Sequence, residues 1–391
     1  MKDAVLVINA GSSSIKFAVF GRDHEIEKLY SGIVDHIATT PDIIIYDASK
    51  KIILSKKFSS NDYEQIVQEL ISSINSCLQN FVIKSIGHRV VHGGTNYLQP
   101  VLINEAIIED LTKLIPLAPL HQPYNLKIIV ALRKLYPDLH QVACFDTAFH
   151  ATQPKLAKLF AIPRKLTESG VIRYGFHGLS YEYIASVLPK YIPQNMVNGK
   201  IVVAHLGNGS SLCGMHKLQS KATSMGFTAL EGLMMGTRTG RLDPGVVLYL
   251  LDQLNLSVKQ ATKLLYSESG LLGVSGISSD VRELLSNQDP NAKEAIELFC
   301  YKAAQEIAAL LIPLNGIDAL VFTAGIGEHA FLVRQKICQW FAWMGLSINE
   351  TANQNNEIII SDPNSKIIVA VIPTNEELMI ANHTVQIVDH A

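Results

Sequence analysis

Two distant stretches of the chain share one pattern of strand, turn and strand. The first is VLVINAGSSSIKFAVF at residues 5–20, and the second is IVVAHLGNGSSLCGMH at residues 201–216. In the first, Ile15, Phe17 and Val19 alternate with their neighbours, which favours a hairpin over a strand-helix unit. Two such hairpins predict two domains of related architecture, each presenting one turn to a shared cleft. A common hairpin pattern that occurs twice by chance is the alternative.

Strands and helices alternate along the rest of the chain. The 391 residues exceed what one hydrophobic core usually serves, which also predicts two domains. An amphipathic pattern after Asn61, the predicted N-cap with Glu64 at the N3 position, indicates a helix. A second helical pattern runs from Ile296 to Leu311. The class is therefore α/β or mixed α+β.

Composition excludes several classes of protein. Hydrophobic residues make up 48% and charged residues 17%, which is the balance of a well-buried globular protein. A formal net charge of -2 argues against nucleic acid or an anionic membrane as the main partner. The five cysteines lie far apart, as in a reducing compartment, and we find no cleavable leader or apolar run of membrane-spanning length. We therefore expect a cytoplasmic protein.

Three glycine-bearing turns are candidate phosphate sites. In the turn from Asn9 to Lys16, backbone N–H groups, hydroxyls and an ammonium can face phosphate oxygens, while Asn9 offers an oxygen to magnesium. Residues 205–211 place two glycines around Asn208, and residues 322–329 form a predicted loop between a strand and a helix. Ordinary turns are the alternative for each. The Walker pattern and the protein-kinase motifs are absent from the sequence.

Charged residues beside glycines are the other candidates. Arg89 and Arg238 each lie in a glycine-flanked motif, and arginine matches carboxylate and phosphate geometry with two hydrogen bonds. Asp146 and Glu376 suit magnesium or its water shell, and the histidines, His121 and His177 among them, can contact phosphate oxygens. For any one of these residues taken alone, a surface ion pair or a satisfied core residue is the alternative.

Together, eight motifs resemble the acetate kinase family of the superfamily that includes sugar kinases, Hsp70 and actin. They are NAGSSSIKF, GHRVVHGG, FDTAFH, YGFHG, HLGNGSS, GTRTG, GIGEH and PTNEE, in the family's order. The resemblance implies two ribonuclease H-like (actin-like ATPase) domains with the active-site cleft between them. The first covers residues 1–150 and is completed by residues 376–391. The second covers residues 151–375, with nucleotide binding and the interface of a homodimer.

The resemblance also implies roles for individual residues. The matched catalytic residues are Arg89, His121, Asp146, His177 and Arg238. The magnesium site, with manganese as an alternative metal, is Asn9 and Glu376. The acyl pocket, beside the substrate-binding Arg89, is Val91, Leu120, Phe176 and Ala229. The ATP-binding residues are Ser12, Ser14, Lys16, His205, Leu206, Gly207, Asn208, Gly209, Asp280, Val281, Arg282, Gly325, Ile326, Gly327, Glu328 and His329.

The activity implied is reversible transfer of the ATP γ-phosphoryl group to acetate, giving acetyl phosphate and ADP by direct in-line transfer. A propionate or other short-chain carboxylate kinase is the alternative. A hydroxyl kinase with Asp146 as its base and an Hsp70-like ATP-binding module are the rival classes. Five positions depart from the family's usual residues and leave the acyl pocket and local salt bridges open: Thr95, Gln122, Tyr124, Ala229 and Arg241.

Overall fold

The computed structural model describes residues 1–23 and 25–390. The chain forms two compact units. The N-terminal unit is Met1–Ala148 with Asn375–Ala391, and the C-terminal unit is Phe149–Thr374. Within the described residues, no helix is both long and apolar enough to cross a bilayer.

Among residues 1–23 and 25–390, thirteen strands occur in chain order. They are β1 (Lys2–Ala10), β2 (Ile15–Arg22), β3 (Ile26–Asp35), β4 (Asp42–Asp47), β5 (Ile52–Lys57), β6 (Phe81–Val90), β7 (Val101–Leu102), β8 (His140–Phe145), β9 (Lys200–Leu206), β10 (Ser210–His216), β11 (Gln219–Thr223), β12 (Ala319–Thr323) and β13 (Ile368–Val371) in the described part of the chain.

The α-helices alternate with these strands, and most of them lie in the C-terminal unit. They are α1 (Tyr63–Cys77), α2 (Glu105–Lys113), α3 (Gln122–Leu135), α4 (Lys155–Lys158), α5 (Arg164–Glu168), α6 (Gly178–Val187), α7 (Gln194–Val197), α8 (Pro244–Asp252), α9 (Val258–Ser267), α10 (Gly270–Ser275), α11 (Val281–Ser286), α12 (Pro290–Leu314), α13 (Ala324–His329), α14 (Phe331–Gln339), α15 (Glu350–Gln354) and α16 (Glu376–Asp389).

The five strands of the C-terminal sheet have the same order as five strands of the larger N-terminal sheet, β3-β2-β1-β6-β8. In the N-terminal unit the order is β5-β4-β3-β2-β1-β6-β8-β7, and in the C-terminal unit it is β11-β10-β9-β12-β13. In this shared part, three strands pair antiparallel, and two further strands follow in parallel orientation. The parallel strands are β6 and β8 beside β1, and β12 and β13 beside β9. This is the ribonuclease H-like arrangement. The predicted α/β class is confirmed, and the related sheets show that the sequence echo is not a chance repeat.

Both predicted hairpins form. Asn9 pairs with Lys16 across the β1–β2 ladder, and Leu206 pairs with Ser210 across the β9–β10 ladder. Ile8, Ile15, Phe17 and the other inward residues of the first hairpin are buried in the core between the sheet and helices α1 and α3. Val7, Ala18 and Phe20 on the opposite face are buried too, so both faces of this hairpin are covered.

Two predictions of local structure are wrong. Asp62, and not Asn61, caps α1, since its Oδ1 accepts a hydrogen bond from Gln65 N at 3.0 Å. Both residues are good N-caps, so sequence alone did not separate them. The predicted loop at residues 322–329 ends β12 and then forms the short helix α13, because Ala324 adopts a left-handed backbone (φ 64°) that turns the chain directly into the helix.

Helix α16 completes the N-terminal unit. It packs on β6, β1 and β8, and the close approach depends on Gly87. A methyl group on Gly87 would lie 2.3 Å from Thr384 Oγ1 and 2.6 Å from an Ile380 methyl carbon. The first residue of α16 is Glu376, so this packing places a carboxylate at the carboxyl ends of β6 and β8.

Candidate functional site

Three charged residues meet at the strand ends of the N-terminal unit. Arg89 near the end of β6 donates from Nε and Nη2 to Asp146, which follows β8, with Nη2 to Oδ2 at 2.6 Å. Its Nη1 lies 3.8 Å from Glu376 Oε2. The Asp146 side chain is 2% exposed and that of Arg89 is 19% exposed. The sequence placed these residues in separate motifs, and the fold brings them together.

The Asp146 carboxylate occupies only one edge of the guanidinium. Burial alone lowers the pKa of Arg89, but the carboxylates of Asp146 and Glu376 outweigh it and hold that pKa above its ordinary value. Arg89 is therefore a permanent cation. Nε and one side of Nη2 face Asp146, and the edge formed by Nη1 and the other side of Nη2 can bind a second carboxylate with two hydrogen bonds.

Buried amides hold the loop that follows Arg89. Asn125 accepts from Val91 N at 3.1 Å and donates to Ala10 O at 2.8 Å, which ties this loop to the end of β1. Gln122 accepts from His92 N at 3.2 Å and donates to His92 O at 3.1 Å. Gln122 is one of the departures from the family pattern, and the structure gives it a supporting role in which both ends of its amide are used.

The first hairpin turn lies at the end of β1 in the same unit. Gly11 N donates to Ser14 O at 2.8 Å and closes the turn. Ser12 and Lys16 are exposed, while Asn9 and Ser14 are half-buried. The turn therefore has the ordinary hairpin geometry, and it also presents hydroxyls and an ammonium outward.

In the C-terminal unit, His177 lies in a constrained turn before α6. Its backbone is left-handed (φ 57°), which is costly for a residue with a side chain. The turn leaves no space at Gly175, where a methyl group would lie 2.6 Å from both His150 and Thr223. His177 Nδ1 is 2.9 Å from Ser211 Oγ, and its ring stacks on His205 with centroids 4.2 Å apart.

Arg238 approaches the same turn. A methyl group on Gly209 would lie 3.5 Å from His177 Nε2 and 3.9 Å from Arg238 Nη1, so both nitrogens face the backbone of the second hairpin turn. Arg238 Nη1 donates to Ala229 O at 3.0 Å. The loop of Arg238 passes so close to Gly270 that a methyl group there would lie 2.2 Å from Met235 O. The structure thus brings two groups that can donate hydrogen bonds, the His177 ring and the Arg238 guanidinium, close to Gly209.

The other residues matched to nucleotide binding also lie in the C-terminal unit. Asn208 is exposed at the tip of the β9–β10 turn. Gly325 begins the exposed face of α13, where a methyl group would meet nothing within 4 Å. The Arg282 guanidinium lowers the pKa of Asp280, which also caps α11, and the Arg282 side chain is 88% exposed. Their neighbour Val281 points into the core.

Arg334, which was not singled out from the sequence, stabilises α13 through hydrogen bonds to its backbone carbonyls. It is fully buried and donates from Nη1 to the carbonyls of Gly327 at 2.9 Å and Glu328 at 3.0 Å. Asn353 accepts from its Nε at 2.8 Å. Burial lowers the pKa of Arg334 to about 10. Its hydrogen bonds to carbonyls and amides fix the helix that carries Gly325, Glu328 and His329.

Known proteins match the chain over nearly its full length. A profile of the acetokinase family matches residues 4–382. An acetate kinase of Rhodopseudomonas palustris (strain TIE-1) is 47% identical over 395 residues, which cover 100% of this chain and 99% of that protein. The chain belongs to the acetokinase family.

Solved structures of similar proteins give the same result. A propionate kinase from Francisella tularensis subsp. tularensis SCHU S4 matches with a TM-score of 0.91 and 40% identity, covering 98% of this chain and 99% of that one. Porphyromonas gingivalis acetate kinase matches with a TM-score of 0.90 and 34% identity, covering 99% of this chain and 100% of that one. The resemblance inferred from the eight motifs is confirmed.

Two further departures from the acetokinase pattern have structural partners. Arg241, where an acidic residue is common, pairs with the buried Glu306 of α12 at 2.9 Å. The Ala229 carbonyl accepts from Arg238, so this position contributes through its backbone. Thr95 is exposed and Tyr124 half-buried, and nothing in the structure explains either departure.

For the remaining matched residues, the structure gives the position in the fold and the degree of burial. His121 immediately precedes α3 and is half-buried. In the predicted acyl pocket, Val91 and Phe176 are buried, while Leu120 is 43% exposed. The roles of all the matched residues stay predictions. Sequence reasoning missed Ser211 and Tyr181, although Ser211 is the final residue of the HLGNGSS motif.

Proposed function

We propose that the protein is an acetate kinase, which transfers the ATP γ-phosphoryl group to acetate and gives acetyl phosphate and ADP reversibly. Membership in the acetokinase family supports a phosphotransferase with a carboxyl acceptor. The carrying observation is the half-engaged guanidinium of Arg89, because its second edge is suited to a small carboxylate.

A carboxylate acceptor fits this site better than a hydroxyl. Acetate is already ionised at neutral pH, since carboxyl groups of its kind titrate near pH 4 to 5, so no base is needed. A hydroxyl kinase needs a base, and both oxygens of Asp146 are within hydrogen-bonding distance of Arg89. Asp146 therefore serves to orient Arg89, and direct in-line transfer requires only positioning and charge neutralisation.

The C-terminal unit supplies the groups for the transferred phosphoryl. Arg238 and His177, which both face Gly209, would hydrogen-bond its oxygens as charge develops there. The two hairpin turns, Asp280 to Arg282 and the helix containing Gly325 to His329 would hold ATP. In the N-terminal unit, Ser12, Ser14 and Lys16 would contact its phosphates, and His121 would line the acetate site.

Magnesium fits the donor set of the N-terminal unit. Among the described residues, no three His, Cys, Asp or Glu side chains form a metal cage. Magnesium at phosphoryl-transfer sites uses one or two protein oxygens together with phosphates and water. Asn9 and Glu376 would hold it, with Mn²⁺ as a substitute. When bound, the ion supplies positive charge to the nucleotide phosphates.

We also propose a homodimer formed through α8 of the C-terminal unit. This helix exposes Leu248 at 66% and Tyr249 at 54%, and Val258 nearby is 73% exposed. Large apolar residues exposed together mark association surfaces. A Leu248→Glu variant should be monomeric in light scattering, whereas dimeric Leu248→Glu protein would contradict this interface. No disulfide links the described cysteines, which favours a cytoplasmic location.

One assay tests the function directly. Purified protein is given acetate, ATP and Mg²⁺, and acetyl phosphate is trapped as the hydroxamate, with propionate, butyrate and glucose in parallel reactions. We expect acetate to be preferred and propionate to react more slowly, because one methylene is worth about 1 to 3 kcal/mol in an apolar pocket. Phosphorylation of glucose without acyl phosphate formation would refute the proposal. A preference for propionate would identify the alternative.

A further inference from the structure

A buried chain of hydroxyls lies behind His177. Ser211 Oγ is 2.9 Å from His177 Nδ1 and is also hydrogen-bonded to the Tyr181 hydroxyl. Ser211 and Tyr181 are each 0% exposed. Ser211 lies on β10, one strand from His205, and Tyr181 lies one helical turn after His177 on α6. Ser211 and Tyr181 are therefore in the buried interior of the C-terminal unit, and the half-buried His177 lies next to them.

The protons that the two hydroxyls can donate set the direction of the hydrogen bonds from Tyr181 through Ser211 to His177. Each hydroxyl has one proton to donate, and a phenol is a stronger acid and better donor than an alkyl hydroxyl. If Tyr181 donates to Ser211, the serine proton is directed to His177 Nδ1. Nδ1 is then an acceptor, and the neutral ring of His177 must hold its proton on Nε2.

That nitrogen faces the proposed chemistry. His177 Nε2 and Arg238 Nη1 both face Gly209, at 3.5 and 3.9 Å from the position of a methyl group there. A donor at Nε2 is useful to a phosphoryl oxygen, whereas a bare lone pair would repel it. The tautomer of His177 therefore decides whether the residue helps or hinders transfer.

Other side chains surround the His177 ring. In the C-terminal unit, the titratable or charged side chains around His177 include His205, Tyr181 and Arg238. His205 is stacked on it with an interplanar angle of 19°, and its own Nδ1 lies 2.8 Å from Ser180 Oγ. A fixed tautomer gives the donor without protonation.

We propose that Tyr181 and Ser211 are positioning residues that hold His177 as its Nε2–H tautomer, so that a neutral imidazole donates to the transferred phosphoryl group beside Arg238. The inference rests on the proposed kinase function and deepens it. Neither residue touches the substrate, and both act through His177.

The first test is Tyr181→Phe, assayed as acetyl phosphate formation from pH 6 to pH 8.5. Without the phenol, Ser211 can accept a proton from Nδ1, and the useful Nε2–H is lost from part of the population. We expect kcat to fall about tenfold at pH 8, below the 10²- to 10³-fold loss typical for removing a direct donor. The KM values for acetate and ATP should change less than twofold.

The pH profile separates this role from a structural one. A doubly protonated imidazole carries N–H at both nitrogens, so protonation at low pH restores Nε2–H whatever Nδ1 does. The deficit of Tyr181→Phe relative to the unaltered enzyme should therefore shrink as the pH falls. A deficit that is constant across the range would contradict the proposal, because a packing defect has no reason to follow imidazole protonation.

Two serine variants and one control sharpen the test. Ser211→Ala should lose activity as Tyr181→Phe does, and Ser211→Thr, which keeps the hydroxyl, should regain most of it. Tyr183→Phe removes a phenol from the same helix, away from His177, and should leave kcat unchanged. Equal losses in Tyr181→Phe and Tyr183→Phe would overturn the assignment.

A second readout does not depend on catalysis. Long-range ¹H–¹⁵N NMR on protein labelled at histidine reports which ring nitrogen is protonated, and a His177→Gln variant assigns the signal. We expect His177 to show protonated Nε2 and bare Nδ1 at pH 8, and Tyr181→Phe to show a mixture. A protonated Nδ1 in the unaltered protein would refute the inference even in active enzyme. An inactive enzyme with the expected tautomer would refute only the kinase proposal.

Discussion

The two units repeat one sheet and use it in opposite ways. In the N-terminal unit, Arg89 is held by the carboxylates of Asp146 and Glu376. In the C-terminal unit, Arg238 is held by the Ala229 carbonyl, and its neighbour His177 by a hydroxyl. The first arrangement fixes a cation by neutralising it, as suits binding. The second holds its cation through a backbone carbonyl, as suits a group that must stabilise negative charge in a transition state.

The largest predicted effect comes from removing either arginine. Arg238→Ala and Arg89→Ala should each lower turnover on the order of 10³-fold or more, by analogy with other arginines that neutralise phosphoryl-transfer charge. Their stabilities should differ. Arg89→Ala removes the cation that donates to both oxygens of the buried Asp146, which costs about 3 kcal/mol of unfolding free energy, whereas Arg238→Ala removes a bond to the Ala229 carbonyl and costs less.

Kinetics and thermal unfolding of both variants test this contrast. Arg241→Ala, three residues from Arg238, is the control and should keep turnover within about threefold, since its partner Glu306 lies on α12. Near-normal turnover of Arg238→Ala would remove this residue from the proposed mechanism. Equal destabilisation by Arg89→Ala and Arg238→Ala would break the comparison between the units.

Acid should weaken the N-terminal unit more than the C-terminal unit. Burial lowers the pKa to about 4 for His88 and His92 in the first unit, and for His150 in the second. The unfolded chain binds these protons from about pH 6.5 downward and the folded chain does not, so stability is lost as the pH falls from 6.5 toward 4. At pH 5.5 each histidine should remove about 1.4 kcal/mol.

Urea unfolding at pH 7.5 and 5.5, followed by hydrogen exchange within each unit, measures this loss. His88→Gln should reduce the loss in the N-terminal unit by about half, because one of its two neutral histidines is gone. An equal loss of stability in both units would contradict the assignment of the buried neutral histidines.

The glycine-bearing motifs allowed much of the fold and of the candidate site to be predicted from the sequence. Hairpins, strand alternation and the family of the chain follow from local patterns, and so do the positions of Arg89 and Arg238. The partners that hold these residues do not. Glu306 pairs with Arg241, and Tyr181 meets Ser211, only after distant segments fold together. A buried arginine such as Arg334 is also invisible locally, because its acceptors are mostly backbone carbonyls and asparagines from other segments.

A smaller effect is expected at Arg241. Restoring the acidic residue common in the family, as Arg241→Asp, would place a carboxylate opposite the buried Glu306, whose pKa burial already raises. We expect a loss of about 2 kcal/mol in unfolding free energy and little change in acetate KM. Adding Glu306→Gln should recover most of the loss in a double-mutant cycle, and independent effects would show that the two residues are not coupled.

The smallest predicted effect is a gain. Ala324 has a left-handed backbone between β12 and α13, and glycine adopts that conformation without strain. Ala324→Gly should stabilise the C-terminal unit by about 0.5 to 1 kcal/mol, as measured by thermal unfolding. Gly325→Ala, at the adjacent exposed position, is the control for a change of size. A destabilised Ala324→Gly protein would show that the alanine methyl contributes packing that outweighs the strain.

Helix α16 has a consequence for synthesis on the ribosome. Residues 149–374 are synthesised after β8 and before α16. The C-terminal unit can therefore fold before α16 packs on the face of β6 that carries Gly87. The Glu376 carboxylate reaches its position only when α16 packs, because Glu376 is the first residue of that helix. A nascent chain stalled before α16 would therefore hold a finished half beside an open apolar surface, which is the kind of intermediate that chaperones bind.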